Sequence, residues 1–206
     1  MSSRGARVEG SDGSDYRHRQ KVANQYAQSV KFKRWFSLAL FIHLGLFSLL
    51  FLKLLEEVLD WFGIDWSVLD EKLGLEYPYF WEWWWSSSLI VGPIATAALA
   101  KNNANRLNLC YNIILLLGVV PLCVGAGHLL PELWEFIQTG EGERFAGVRV
   151  VVLWFLFFAF TLQIHGAELY TARKLMTAWR PVKPSGPPQG QLFNLQPSEE
   201  DHDKED

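Results

Sequence analysis

Charge is missing from four long stretches of this 206-residue chain. Trp35–Leu52, Trp83–Ala100, Leu107–Pro131 and Val150–Ala167 contain no Asp, Glu, Lys or Arg. A bilayer core about 30 Å thick takes roughly 20 helical residues to cross, and each run is near that length. This segregation excludes a soluble domain, a disordered chain and a disulfide scaffold. Cysteine is scarce as well. Cys110 and Cys123 are the only two, both inside the third run. At about 1.5 Å per residue they lie roughly 20 Å apart on one helix and cannot bridge. No loop cysteine is there to staple an external domain. The sequence also lacks an Asn-x-Ser/Thr acceptor, a Gly-x-Ser-x-Gly elbow and a phosphate-binding glycine loop. A net charge of −3 gives no reason to expect nucleic acid as a partner.

What is there reads as an all-α, four-span transmembrane bundle. Residues 1–14, rich in Ser, Gly and charge, read as a disordered lead. The first apolar run starts too late for a secretory signal, so the first span is expected to insert as its own signal. Residues 15–34 predict a basic amphipathic helix capped by Asp12 or Ser14, with Val22, Tyr26 and Val30 repeating at i+4. Arg17, Arg19, Lys21, Lys31, Lys33 and Arg34 fill its other faces. They make it a candidate for contact with anionic lipid headgroups or a partner, lying on the membrane before the chain turns inward. The other reading is a solvated extension of the first span.

The spans are expected at about 35–55, 80–100, 107–130 and 148–170, the last helix continuing to 180. Lys53 is placed to snorkel outward. The loop from Glu56 to Tyr79 is acidic, with Trp61, Phe62, Trp66 and Leu69 suited to a short interfacial helix. Tyr77-Pro78-Tyr79-Phe80-Trp81 and Trp83-Trp84-Trp85 have the composition of an aromatic belt, with Glu82 near the interface. Pro121 should kink the third span, and Gly118, Gly125 and Gly127 would let a neighbour approach. The tail 181–206 holds five of the nine prolines and ends in acids, and reads as disordered.

Ionisable groups inside a membrane are functional candidates. Here they are His43, His128, His165 and Glu168. A carboxylate-bridged di-metal bundle needs two Glu-x-x-His pairs. This chain has one pair, His165 and Glu168, in reverse order. Five histidines, with His18 and His202 in the tails, are too few for a histidine-box enzyme. The expectation is therefore no catalytic, cofactor or metal site, with His43 reading as a hydrogen bond between helices. A small transporter or lipid-handling protein built around Pro121 and His43 is the alternative class.

Several blocks carry a family resemblance. Gly10-Ser11-Asp12-Gly13-Ser14-Asp15-Tyr16, then His18-Arg19, Val22-Ala23, Tyr26, Ser29-Val30 and Lys33, resembles the start of the Jagunal family. Glu76-Tyr77-Pro78-Tyr79 is similar to the family's motif before the second span, and Asn102-Asn103 to its paired asparagines. Gln163, His165, Leu169-Tyr170, Lys174-Leu175 and Trp179 resemble its final segment. The resemblance spans residues 10–180. It implies a non-catalytic endoplasmic reticulum membrane protein that supports ER organisation and vesicle traffic in the early secretory pathway, with coat or trafficking proteins as partners. The chain departs in its tryptophan-rich segment before Asn102. Its tail has only Lys204 where basic family tails resemble a dilysine retrieval signal.

Orientation follows from the bases. Eight Lys or Arg precede Trp35, one lies in the loop 56–79, two in 101–106, one in 131–147 and five after Tyr170. The positive-inside rule places both termini and residues 101–106 in the cytosol. A glycosylation acceptor engineered into 56–79 or 132–147 should be modified, whereas one near Asn102 or in either tail should not. A gel-shift assay in microsomes reads this, and modification of a tail would overturn the topology.

Overall fold

A computed structural model describes residues 14–64, 77–145 and 147–180. The expected disordered lead and tail, Asp12 and Gly13, and the loop positions Trp66 and Leu69 lie outside the described residues. Contacts divide the chain into residues 27–180 and a second unit of residues 1–26 and 181–206. Of the second unit only the helical residues 14–26 are described, and their apolar side chains Tyr16, Val22 and Tyr26 are exposed.

The chain is an all-α membrane bundle. Its first helix, α1, runs from Ser14 to Trp61 without a break. No Pro or Gly stands between Tyr16 and Leu44, so nothing in the sequence stops it, and the chain does not turn at Arg34. Its 48 residues reach about 72 Å at roughly 1.5 Å each, against a membrane core of about 30 Å. The helix ends six residues beyond the expected span, and Gly63 in the left-handed region (φ +71°) turns the chain away.

The second predicted span is a composite. It comprises α2 (Phe80–Ser86), a 3₁₀ turn (Ser87–Ile90) and α3 (Val91–Lys101). Asn102 then takes a left-handed conformation (φ +49°), which asparagine tolerates better than most residues. Asn103 caps the next helix by accepting the Arg106 N–H at 3.0 Å. The paired asparagines thus make the tight turn between two antiparallel helices. The third span consists of α4 (Ala104–Ile113), a π-helical segment (Ile114–Val119) and α5 (Val120–Thr139). Pro121, where a kink was expected, follows this wider turn, whose shifted bonding absorbs the missing donor. Pro131 does not end α5, which continues to Gly140 instead of giving way to a loop at 131. A short antiparallel hairpin, β1 (Arg144–Phe145) with β2 (Val148–Arg149), precedes α6 (Val150–Ala178). The Arg149 guanidinium donates to the carbonyls of Gly140 and Gly142.

Among the described residues, three helices are long and apolar enough to cross a membrane: those within 18–61, 104–139 and 150–178. The fourth crossing falls to the composite α2–α3. The backbones of α3, α4, α5 and α6 pack closely. Side chains of α1 join them. Phe36 sits in a core with Val91, Ala95, Leu107, Ile114 and Leu175, and Leu46, Leu50 and Leu54 in another with Trp81, Trp85, Leu122 and Phe158.

The tryptophans depart from the belt reading. Trp81 and Trp85 are buried inside the bundle, while Tyr77 and Phe80 are exposed. Trp81 lies edge-on to Trp154 and Phe158 at 5.1 and 5.0 Å. It rests on Gly125, where an added methyl would lie 2.6 Å from its ring. Gly118 likewise seats the His165 ring, at 3.0 Å, whereas Gly127 faces open space.

Candidate functional site

The 3₁₀ turn and the π segment are in contact, and His43 of α1 with His165 and Glu168 of α6 meets them there. The sequence carries Ser88 on the first and Gly118 on the second. His165 and Glu168 are one helical turn apart, so both face inward together. Glu168 is fully buried and receives two imidazoles. His43 Nδ1 lies 3.1 Å from Oε1, and His165 Nδ1 lies 2.8 Å from Oε2. The two imidazole rings meet edge-on at 4.7 Å.

Donor logic fixes most of the protons. The Trp85 indole N–H, which can only donate, points at His165 Nε2 at 3.0 Å. That nitrogen must accept, so His165 is neutral and carries its proton on Nδ1, donated to Glu168. His43 Nε2 stands 2.9 Å from the Ser88 hydroxyl, which can donate or accept. His43 is therefore the one ring whose proton count the geometry leaves open. With a proton in the His43–Glu168 contact and another on His43 Nε2, the cluster has no net charge. An apolar interior tolerates that state best.

The residue types also suit a metal: His43, His165 and Glu168 offer ligand atoms within 4.8 Å of one another. The surroundings do not. A metal on His165 Nδ1 would move its proton to Nε2, where it would confront the Trp85 N–H, donor against donor. The arrangement fits a hydrogen-bonded clasp between α1 and the bundle better than a metal centre.

Two more polar contacts hold α1. Lys53 does not snorkel outward. It donates to Glu82 at 2.7 Å, and its ammonium lies 5.1 Å from the Tyr79 ring centre and 5.0 Å from that of Trp154. Glu82 is fully buried. Nearer the other end, the Trp179 indole donates to Ser29 at 2.8 Å, with Lys33 over its ring at 5.7 Å.

The remaining predicted positions spread along these elements. Arg19, Lys21, Lys31 and Arg34 are exposed, whereas Lys33 is half-buried on Trp179. The side chains of Arg17, Ser14 and Asp15 lie outside the described residues. His18 is half-buried, Gln163 exposed, and Tyr79 packs against exposed His128 at 5.3 Å. Pro78 is half-buried beside exposed Tyr77. Trp85 and Ser88 are the site residues that sequence reasoning missed. Their signal was the polar run Ser86-Ser87-Ser88 inside an otherwise apolar span.

Comparisons with known proteins agree with one another. A family model described as "Jagunal, ER re-organisation during oogenesis" matches residues 1–183. A Caenorhabditis elegans protein named "Protein jagunal homolog" is 36% identical over 191 residues, covering 89% of this chain and 99% of that protein. "Protein jagunal" of Drosophila melanogaster is 31% identical, covering 87% and 95%. "Protein jagunal homolog 1" of Homo sapiens is 29% identical, covering 87% and 94%.

The donor assignment can be tested directly. Trp85→Phe keeps an aromatic side chain but removes the N–H with the pyrrole half of the indole, leaving a buried acceptor unmet. Chemical unfolding of the full chain in detergent should show a loss of about 1–3 kcal/mol. Unchanged stability would contradict the assigned tautomer.

Proposed function

Because the chain belongs to the Jagunal family, matched over residues 1–183, we propose that it is an endoplasmic reticulum membrane protein that supports ER organisation and vesicle-mediated transport in the early secretory pathway. It works by surface and partner contacts, without catalysis. Both termini face the cytosol in this reading, and the bases of residues 17–34 meet anionic headgroups, with coat or trafficking proteins as further partners. The observation that carries the proposal is the family match itself, whose description names ER re-organisation.

Two features of the molecule support it. The exposed bases Lys31 and Arg34 lie on the same helix as the first apolar run, directly before it. His43, Trp85, Ser88, His165 and Glu168 are buried and bonded to one another. A transporter needs a polar cavity that water reaches, and this cluster is closed by Trp85, Ser88 and Gly118.

Depletion and rescue in cells tests the proposal. Depletion should disturb ER distribution and slow the export of secretory cargo, and the wild-type chain should restore both. A chain with Arg17, Arg19, Lys21, Lys31, Lys33 and Arg34 changed to Gln should insert, since its apolar runs are intact, yet fail to rescue. Normal ER and export after depletion would sink the reading, and full rescue by the Gln variant would remove the basic helix from it.

A further inference from the structure

The seam between α1 and α6 is not filled. A groove of about 480 Å³ lies along it, walled by Trp35, Leu38 and Ile42 from α1 and by Ile164, Ala167 and Tyr170 from α6. On α1 its lining runs from Lys31 to Ile42, between the Ser29–Trp179 and His43–Glu168 contacts. Lys31 is the only charged residue lining it. A second hollow shares Lys31, Trp35 and Leu38 and adds Arg34. Lys174, over the Tyr170 ring at 5.5 Å, brings a third base to the same end. Exposed Trp35 and Tyr170 flank the opening with the amphipathic rings that favour a headgroup level.

These bases have no acid to face within the spans. The sequence holds no Asp or Glu from Tyr16 to Leu55 or from Trp83 to Pro131. From Val148 to Arg180 it holds only Glu168, which is buried and engaged by two histidines. The counter-anion must come from elsewhere. An apolar trough that opens beside unopposed cations matches a molecule with a hydrocarbon tail and an anionic head.

We propose that this groove is the binding site of one anionic glycerophospholipid. Its acyl chain lies along Leu38, Ile42, Ile164 and Ala167, and its phosphate sits between Lys31 and Arg34. The lipid completes the packing of α1 against α6 on the side where side chains leave a gap. This goes beyond the trafficking reading and is tested without it, because lipid binding to the purified chain reads neither ER shape nor cargo export.

The full chain, purified in a neutral detergent, is titrated with phosphatidylserine or phosphatidylcholine and read by native mass spectrometry. One phosphatidylserine should bind, more tightly than phosphatidylcholine. Changing Lys31→Gln and Arg34→Gln together should weaken phosphatidylserine on the order of thirty-fold, from the loss of two bases near its net-anionic head, and weaken phosphatidylcholine, whose choline offsets its phosphate, much less. Ala167→Trp, which fills the trough from an exposed wall position, should displace both lipids. Lys31 and Arg34 are exposed, so the glutamine pair stays decisive even if the tryptophan unfolds the bundle. Equal affinity for the two lipids in the wild type would overturn the proposal. So would phosphatidylserine binding indifferent to the glutamine pair, or indifferent to a folded Ala167→Trp chain. Binding that appears only after the acids of residues 199–206 are neutralised would identify the chain's own tail as the occupant and overturn it too.

Discussion

A carboxylate in the middle of an apolar bundle is stable only if every lone pair and its charge are met from within the protein. Glu168 sits in that position, and much of the surrounding structure follows from meeting it. His165 reaches it from the next turn of the same helix, and His43 must come from α1. The Trp85 indole then closes the far side of His165, and Ser88 the far side of His43. Those two groups are one turn apart, where the second span leaves α-helical geometry at Ser87–Ile90. Gly118, in the π segment of the third span, leaves the space that the His165 ring fills. The two irregular segments and the ionisable cluster meet at one place, built from four spans.

This explains how α1 is held. Phe36, Leu46, Leu50 and Leu54 bury it against the other helices. Polar contacts pin it as well, at Ser29, His43 and Lys53, each to a residue more than 25 positions away in sequence. Inside a bilayer such contacts, as at His43, have no water to compete with them, and they fix register as well as attachment. The aromatic cores between the pins supply dispersion, with Trp81 and Trp85 acting as filling rather than as interface anchors. The cost is an unfilled seam beside the pins, which a lipid tail is suited to fill.

Much of this was legible in the sequence, because hydrocarbon thickness constrains composition strongly. The four uncharged runs mark the crossings, and Asn102-Asn103 marks the turn between the second and third. The basic segment was legible as a helix, and the absence of Pro and Gly from Tyr16 to Leu44 was the sign that it would not break at Arg34. Tertiary pairing was not legible. Lys53 and Glu82 each looked interfacial alone; only their proximity shows that each makes the other's burial possible. His43 read correctly as an interhelical hydrogen bond, but its partner, Glu168, lies 125 residues away. Trp81 and Trp85 sat in a run whose composition matches a belt, and no local pattern separates a belt tryptophan from a core one. That distinction rests on Gly125, which seats Trp81, and on His165, which accepts from Trp85, in other helices.

The central physical claim is that His43 and Glu168 act as one unit. A double-mutant cycle with His43→Ala, Glu168→Ala and both, unfolded from detergent micelles, measures it most directly. Each single change should be strongly destabilising, and the double should cost less than their sum, with a coupling of about 1–3 kcal/mol. Additive losses would show that the two residues stand in contact without depending on each other, and would contradict the account.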